Sequence, residues 1–587
     1  MGQSLLSYLT AKCGDAFASQ GLSPDFGRVQ VSDRPDLAPF QCNGALSAAK
    51  QAGKPPRAIA EAIVAILKQD SDFAALELAG PGFINIHLSD AVIARFLTDT
   101  AADTRLGTPV LGNGETVVLD YGGPNVAKPM HVGHLRSGII GDTVRRMMQD
   151  TGFKTLGDIH MGDWGTQMGM IISELKRRSP ELPYFDPHFT GPYPAESPVT
   201  MEDLEEIYPA ASAACKADPA RLEEAQLATV ELQNKRAGYY ALWRHFMDVS
   251  IVSMKANYQT LNVEFDLWKG EADVHDLIEP MVKDLQARHI AIDSDGAVVI
   301  PVAKNDDAKE YPPLILYKRD GAVMYGTTDL ATLVERQLLY APARVIYIVD
   351  QRQGLHFEQL FRAAYKSGII PEAVELTHAG FGTMNGADGK PFKTRAGGVM
   401  KLEDLIAMAM EKAGARLQEA NIGQDYSTEE QTDIARKVAV SAIKFADLQN
   451  NRVADYVFDL DRLTQFEGKT GPYLLYQTVR MNSLLHKVGE SAEPAQLVLG
   501  GPERTLALAL LDWPEAFSGA VRGYAPHIIC DYLYRLAQTF SSFYAACPIL
   551  PEKDPDIRAT RLLLVKLTHA MLTRSLGLLG IDVPERM

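Results

Sequence analysis

The chain is poor in cysteine. Its 587 residues hold five, Cys13, Cys42, Cys215, Cys530 and Cys547, and no two form a CxxC pair. Their odd number and scattered spacing exclude a disulfide framework, argue against a structural zinc site and fit a reducing cytoplasm. No apolar run is long enough to span a membrane. The opening MGQSLLSYL has no basic segment ahead of its apolar residues, so it is not a secretory signal. Gly2 is present, but Leu6 stands where a myristoylation pattern needs Ser or Thr. Positive charge is in deficit, with 58 Lys and Arg against 74 Asp and Glu and a net charge of −16. A protein that coats nucleic acid indiscriminately is usually basic, so that class is disfavoured. One RNA partner, held by local basic patches and by shape, stays possible. There is no internal repeat and no long low-complexity tract. GxxxxGK[ST], GxGxxG and HExxH are missing from the loop that turns out to matter, which removes a Walker loop, a common dinucleotide fingerprint and a helical zinc site.

What is present is ordinary globular material, 46% hydrophobic and 22% charged, long enough for about three or four domains. Residues 1–110 read as a small α+β unit, with an amphipathic helix over 55–69 and two strands around the Gly80-Pro81-Gly82 turn. Residues 111–420 alternate strands and helices. Strands are expected at 117–119, 153–160, 297–302, 314–318, 344–350 and 374–381, and helices at 329–340 and 355–366. That alternation predicts a parallel, doubly wound, Rossmann-like sheet, with ligands at the carboxyl ends of its strands. An insertion lies around 178–300; its 178–225 part is rich in Pro and Glu and reads as a solvated face. After a linker at 421–428, residues 421–587 are nearly all helical, with helices at 434–445, 470–488, 502–512, 528–544 and 561–579, and predict a bundle.

The centre of interest is 120–142, DYGGPNVAKPMHVGHLRSGIIGD. The apolar run Val117-Val118-Leu119 suits a buried strand, Gly122, Gly123 and Pro124 break it, and a helical pattern begins at Val132. Lys128, His131 and His134 gather at that helix N-terminus, where free N–H groups and the helix dipole favour an anion. His131 and His134 are three apart and share one face. Gly133 between them leaves room for a flat group near the backbone. The combination points to a nucleoside triphosphate.

The segment PNVAKPMHVGHLRS resembles the HxGH region of class I aminoacyl-tRNA synthetases, and of arginyl-tRNA synthetases in particular. FGRVQVSD (26–33), LAPFQCNGALSAAK (37–50) and GPGFINIHLSD (80–90) resemble that family's tRNA-contacting amino-terminal domain. The stretch 444–481 and the closing LGLLGIDVPERM resemble its helical anticodon-binding domain. The resemblance covers nearly the whole chain outside 178–225 and 490–500. It implies activation of L-arginine by MgATP to arginyl-adenylate and pyrophosphate, then transfer to the 3′ end of tRNA-Arg, by a cytoplasmic monomer without a structural metal.

The resemblance also assigns residues. Pro124, Asn125, Val126, Ala127, Lys128, Pro129, Met130, His131, Val132, Gly133, His134 and Gly382 would contact ATP. Asp120, Asn125, Tyr325, Asp329 and Gln353 would hold arginine, the Tyr325/Asp329 pair facing its guanidinium. Gly122 and Gly123 stand where relatives often have small polar side chains. Tyr532, Tyr544 and Met587 would contact tRNA. The family's second cationic loop maps to GKPFKTRAGGVMKLEDL (389–405), where Lys393 or Arg395 would meet phosphate; the second lysine of the usual KMSKS pattern is missing, and Lys128 would supply that charge. A cysteinyl enzyme would need a Cys/His zinc cluster that these cysteines do not form. A catalytically silent RNA-binding paralogue would have lost HxGH or the guanidinium carboxylate, and both are kept.

Overall fold

In the computed structural model, which describes residues 3–319, 321–386, 388–390, 400–489 and 494–587, the amino-terminal region is built on an antiparallel sheet. Strands β1 (Val29–Val31), β2 (Phe40–Cys42), β3 (Phe73–Ala79) and β4 (Phe83–Leu88) run in the order β1-β2-β4-β3, and helices α1 (Leu5–Ser19), α2 (Gly44–Ala52) and α3 (Pro56–Leu67) pack on it. Helix α4 (Asp90–Ala102) leads out of this unit.

The core begins with β5 (Thr116–Asp120), α5 (Val132–Asp150) and β6 (Lys154–Asp158), followed by α6 (Thr166–Arg178), α7 (Met201–Ala217), α8 (Pro219–Gln233), α9 (Ala237–Thr260) and α10 (His275–Ala287). Strands β7 (Ile292–Ser294), β8 (Ala297–Ile300) and β9 (Leu314–Tyr317) come next, then α11 (Tyr325–Tyr340), β10 (Arg344–Tyr347), α12 (Gly354–Ser367), β11 (Glu375–His378), β12 (Met384–Asn385) and α13 (Leu402–Glu419). The main sheet is parallel throughout, in the order β11-β10-β5-β6. Strand β5 is therefore central, and the chain leaves it toward β6 on one side and returns through β10 on the other. That is a topological switch point, where a crevice opens beyond the strand ends.

Two expected strands lie elsewhere. The segments at 297–302 and 314–318 were expected in the parallel sheet, but β7, β8 and β9 form a separate antiparallel sheet. The reason is local. Asp295 and Gly296 join β7 to β8 with φ of +50° and +81°, and a two-residue Asp-Gly turn makes a hairpin, which a parallel pair cannot use. The insertion is also more ordered than its composition suggests: α7 starts at a capping box between Thr200 and Asp203 and buries Leu204, Ile207, Ala211 and Cys215.

The carboxy-terminal bundle comprises α14 (Thr428–Leu448), the short β13 (Tyr456–Val457) and α15 (Leu460–Leu463), then α16 (Gly471–Val488), α17 (Gly501–Leu511), α18 (Trp513–Gly523), α19 (Pro526–Ala546) and α20 (Pro555–Leu578). Helix α18 was not among the expected helices; it buries Trp513, Phe517, Ala520 and Val521. Buried charge ties the bundle to α5 and to the turn after α9, and orders α5 itself. Arg136 Nε lies 2.8 Å from Asp447, both side chains almost fully buried. Buried Asp142 takes Arg145 and Arg146 at 2.9 and 2.7 Å. Lys444 donates to the carbonyls of Leu261 and Asn262 at 2.9 and 3.0 Å, and burial pushes its ammonium down to about 8. Among the described residues, no helix is long and apolar enough to cross a membrane.

Candidate functional site

Both imidazoles of the HVGH loop are fixed by backbone hydrogen bonds. His131 is the N-cap of α5 and its Nδ1 accepts from Gly133 N–H at 3.0 Å. The His131 N–H donates to His134 Nδ1 at 3.2 Å. The rings stack with centroids 3.9 Å apart. Burial and then the Lys128 charge lower His131. Burial, His131 and Lys128 push His134 down to about 3. The rings are therefore neutral near pH 7, and because Nδ1 accepts in each, the proton sits on Nε2. The loop offers two oriented neutral N–H donors beside the Lys128 cation, at a helix N-terminus. A Cβ on Gly133 would lie 2.7 Å from the His131 ring, so glycine there is what lets His131 cap the helix.

The approach to the loop is equally constrained. Gly122 has φ +90°, and a Cβ there would meet Tyr258 and Phe265. Ala127 has φ +60° and donates its N–H to Ser250 Oγ on α9 at 2.9 Å. Val126 N–H donates to Gly162 O at 3.0 Å, and Gln167 donates to Val126 O at 2.5 Å. Val126 and Ala127 are fully buried and Pro124, Met130 and Val132 nearly so, while Asn125 and Gly133 are exposed and Lys128, Pro129, His131 and His134 are partly exposed. The exposed and partly exposed set can touch a ligand; the buried set shapes the loop.

A cavity of about 230 Å³ is bounded by Trp164, Gln233, Glu271, His275, Tyr325 and Thr328, with Glu271 as its one carboxylate among the described residues. Asp329 follows Tyr325 by one helical turn on α11, and its Oδ2 accepts from His356 Nε2 at 2.6 Å. The exposed Tyr325 ring packs over His356 with centroids 4.6 Å apart. Burial holds the Glu271 carboxyl above its ordinary range, with Asp329 adding to the effect. Burial also pushes Asp163 up to about 7; its Oδ1 accepts from Ala272 N–H at 3.0 Å, which fixes the turn carrying Glu271. A planar cation with several donors, such as a guanidinium, suits the Glu271 carboxyl that lines the cavity, with the Asp329 charge near it.

Glu271, His356 and Arg336 were not among the expected site residues. Arg336 is buried on α11 and donates from Nη2 to Asp120 and Asp158, each at 2.6 Å. A sequence signal existed for it: Asp329 and Arg336 are two helical turns apart on one face. Glu271 opens a short helical turn after Gly270 and carries no comparable pattern.

The remaining expected residues divide. Asp120 sits at the carboxyl end of β5, but its carboxylate is committed to Arg336 and almost buried, so it ties β5 to α11. Burial raises the Asp120 carboxyl, and Arg336 opposes that. Gln353 is exposed at the start of α12. Gly382 is a correction: its N–H donates to Arg452 O at 3.0 Å, its carbonyl accepts from Arg136 at 2.7 Å, and a Cβ would lie 2.7 Å from Ala454. It packs two segments together and is not open to nucleotide. Tyr532 is a second correction. It is 1% exposed and packs on Trp513 inside the bundle, because it continues the buried helical face of Ile529, Leu533 and Leu536. Tyr544 is partly exposed under the Arg480 guanidinium, 4.5 Å away, and Met587 is partly buried against the bundle. Lys393 and Arg395 lie outside the described residues.

Asp120, Asp158 and His160 bring ligand atoms within 4.8 Å of one another. Arg336 already bonds both carboxylates, so a cation there would face a buried guanidinium, and this donor set does not fit a resident metal.

Comparison with known proteins gives the family. Residues 97–460 match the family model described as tRNA synthetases class I (R), catalytic domain. Residues 3–88 match the arginyl tRNA synthetase N terminal domain, and 474–587 the DALR anticodon binding domain. An arginine–tRNA ligase of Hyphomonas neptunium is 51% identical over 588 residues, covering 100% of both chains. One from Maricaulis maris is 49% identical over 587 residues, again covering 100% of both. A solved arginyl-tRNA synthetase from Plasmodium falciparum superposes with a TM-score of 0.83 at 25% identity, covering 100% of this chain and 99% of its own.

Proposed function

The chain belongs to the class I arginyl-tRNA synthetases, and from that premise we propose how its own residues divide the work. The reaction joins the carboxylate of arginine to the α-phosphate of ATP, expels pyrophosphate, and passes arginine to tRNA-Arg. Negative charge gathers on phosphate oxygens in the transition state, so donors and cations held in place matter more than a base or nucleophile.

In this reading His131 and His134 donate from Nε2 to phosphate oxygens, and Lys128 supplies the cation. Magnesium arrives with ATP as part of the substrate. Asp329 and Glu271 receive the guanidinium, with Tyr325 over it and Gln353 at the rim. Asp120, through Arg336, ties β5 to α11, and Asn125 faces the amino-acid end. Tyr544, Arg480 and Met587 are the bundle residues assigned to tRNA. Free, buried thiols at all five cysteines fit a reducing cytoplasm.

The observation that carries the reading is the pair of neutral Nε2–H donors beside Lys128 at the N-terminus of α5, together with a cavity lined by the Glu271 carboxyl that feels the Asp329 charge. A charging assay with total tRNA and each amino acid in turn tests it. Arginine alone is expected to be esterified, in an ATP-dependent manner. Charging with another amino acid, or none, contradicts the assignment.

A further inference from the structure

Helix α7 has no part in the chemistry described so far, yet it reaches the lysines on both sides of the HVGH loop. The Lys128 ammonium lies 4.2 Å from the centroid of the Tyr208 ring. Lys401 pairs with Glu205 at 2.5 Å. Glu205 and Tyr208 are three residues apart and share one face of the helix. The lysines themselves belong to two paired segments: His131 and Lys401 form an antiparallel bridge, with Leu402 N–H donating to Met130 O at 2.9 Å and Val132 N–H to Met400 O at 3.1 Å. One helix face therefore grips both strands of the bridge that carries His131.

We propose that Tyr208 and Glu205 are positioning residues, the ring face of Tyr208 holding the Lys128 ammonium at the mouth of the phosphate site and Glu205 anchoring Lys401 so that the loop keeps its shape. This rests on the reading of Lys128 as the phosphate-facing cation. The two contacts differ in a way that suits the two lysines. A carboxylate beside Lys128 would neutralise the charge the triphosphate needs. An aromatic face attracts an ammonium through its quadrupole and leaves the full charge on offer. A lysine with no partner would spread over many rotamers and lose entropy on meeting phosphate. Lys401 is not assigned to phosphate, and a neutralising partner costs it nothing. The Lys128 charge already reaches both imidazoles, since it contributes to the lowering of each, so holding it also helps to keep them neutral.

The test is single-turnover adenylate formation with tRNA present, ATP titrated at saturating arginine. Tyr208→Leu keeps apolar bulk and loses the π face; it is expected to lower kcat/KM for ATP by about tenfold with the KM for arginine unchanged. Tyr208→Phe keeps the face and is expected to restore the wild-type value. In a Lys128→Met background, Tyr208→Leu is expected to add nothing. Glu205→Gln is expected to raise the KM for ATP about threefold, in line with a partly exposed ion pair. Equal activity of Tyr208→Leu and wild type, beside a crippled Lys128→Met, overturns the proposal and leaves the Lys128 reading standing. Equal losses in Tyr208→Leu and Tyr208→Phe overturn it too, since the ring face would not be what matters. A fully active Lys128→Met fails the reading itself, and the proposal falls with it.

Discussion

The two ends of the site are made in opposite ways. The phosphate end is one continuous stretch, from Pro124 to His134, whose key side chains are oriented by their own neighbours: His131 by Gly133, and His134 by the His131 backbone. The arginine end is collected from separate elements, with Glu271 from a turn before α10, Tyr325 and Asp329 from α11 and His356 from α12. Local chemistry orients the two imidazoles of the first, while α7 and α9 hold the loop that carries them. The second exists only once the sheet has brought α11 and α12 together. The orientation of the imidazoles should therefore tolerate changes in the distant scaffold, and the arginine end should depend on it.

The largest effect should come from breaking the arginine end at its centre. Asp329→Ala removes the carboxylate that His356 orients. It is expected to cut kcat/KM for arginine by about a thousandfold or more, as loss of one partner of a desolvated charge pair does, with ATP affinity unchanged in equilibrium titration. Next is the phosphate end: Lys128→Ala should slow adenylate formation about a hundredfold in rapid-quench measurements, with arginine affinity unchanged. Glu271→Gln keeps the shape and removes one charge, so the KM for arginine should rise about tenfold with the KM for ATP constant.

The smallest effect sharpens the comparison through pH. Burial pushes Asp163 up to about 7, so it is mostly protonated at pH 6 and mostly ionised at pH 8. A bound guanidinium favours the ionised form. Binding therefore releases a proton, and the KM for arginine should fall as pH rises through 7. Asp163→Asn should flatten that slope. The imidazoles should add no acid limb near 6.5, because both are lowered and stay neutral. A pH series of initial pyrophosphate-exchange rates reads both.

This division also explains what the sequence could tell. The strand-loop-helix around HVGH was legible because a strand end, a glycine break and a helix start are local signals. Tyr325 and Asp329 were legible as a pair one turn apart. Glu271 was not, since an acidic residue after a glycine looks like any exposed turn until tertiary packing buries it. Tyr532 was misread because an aromatic on an amphipathic helix looks the same from sequence whether its face is inward or outward. The antiparallel pairing of β7 and β8 was readable in principle from Asp295-Gly296, a strong hairpin signal that alternation of strands and helices masked. The role of α7 was hidden because its two functional contacts are with residues far along the chain.

If the phosphate and arginine ends are separable, crossed binding isotherms will separate them. ATP and arginine are titrated, each alone and with tRNA present, into wild type, Asp329→Ala and Lys128→Ala. The first variant should lose arginine binding with ATP intact, and the second should bind ATP more weakly with arginine intact. Equal losses of both ligands in either variant would contradict that separation.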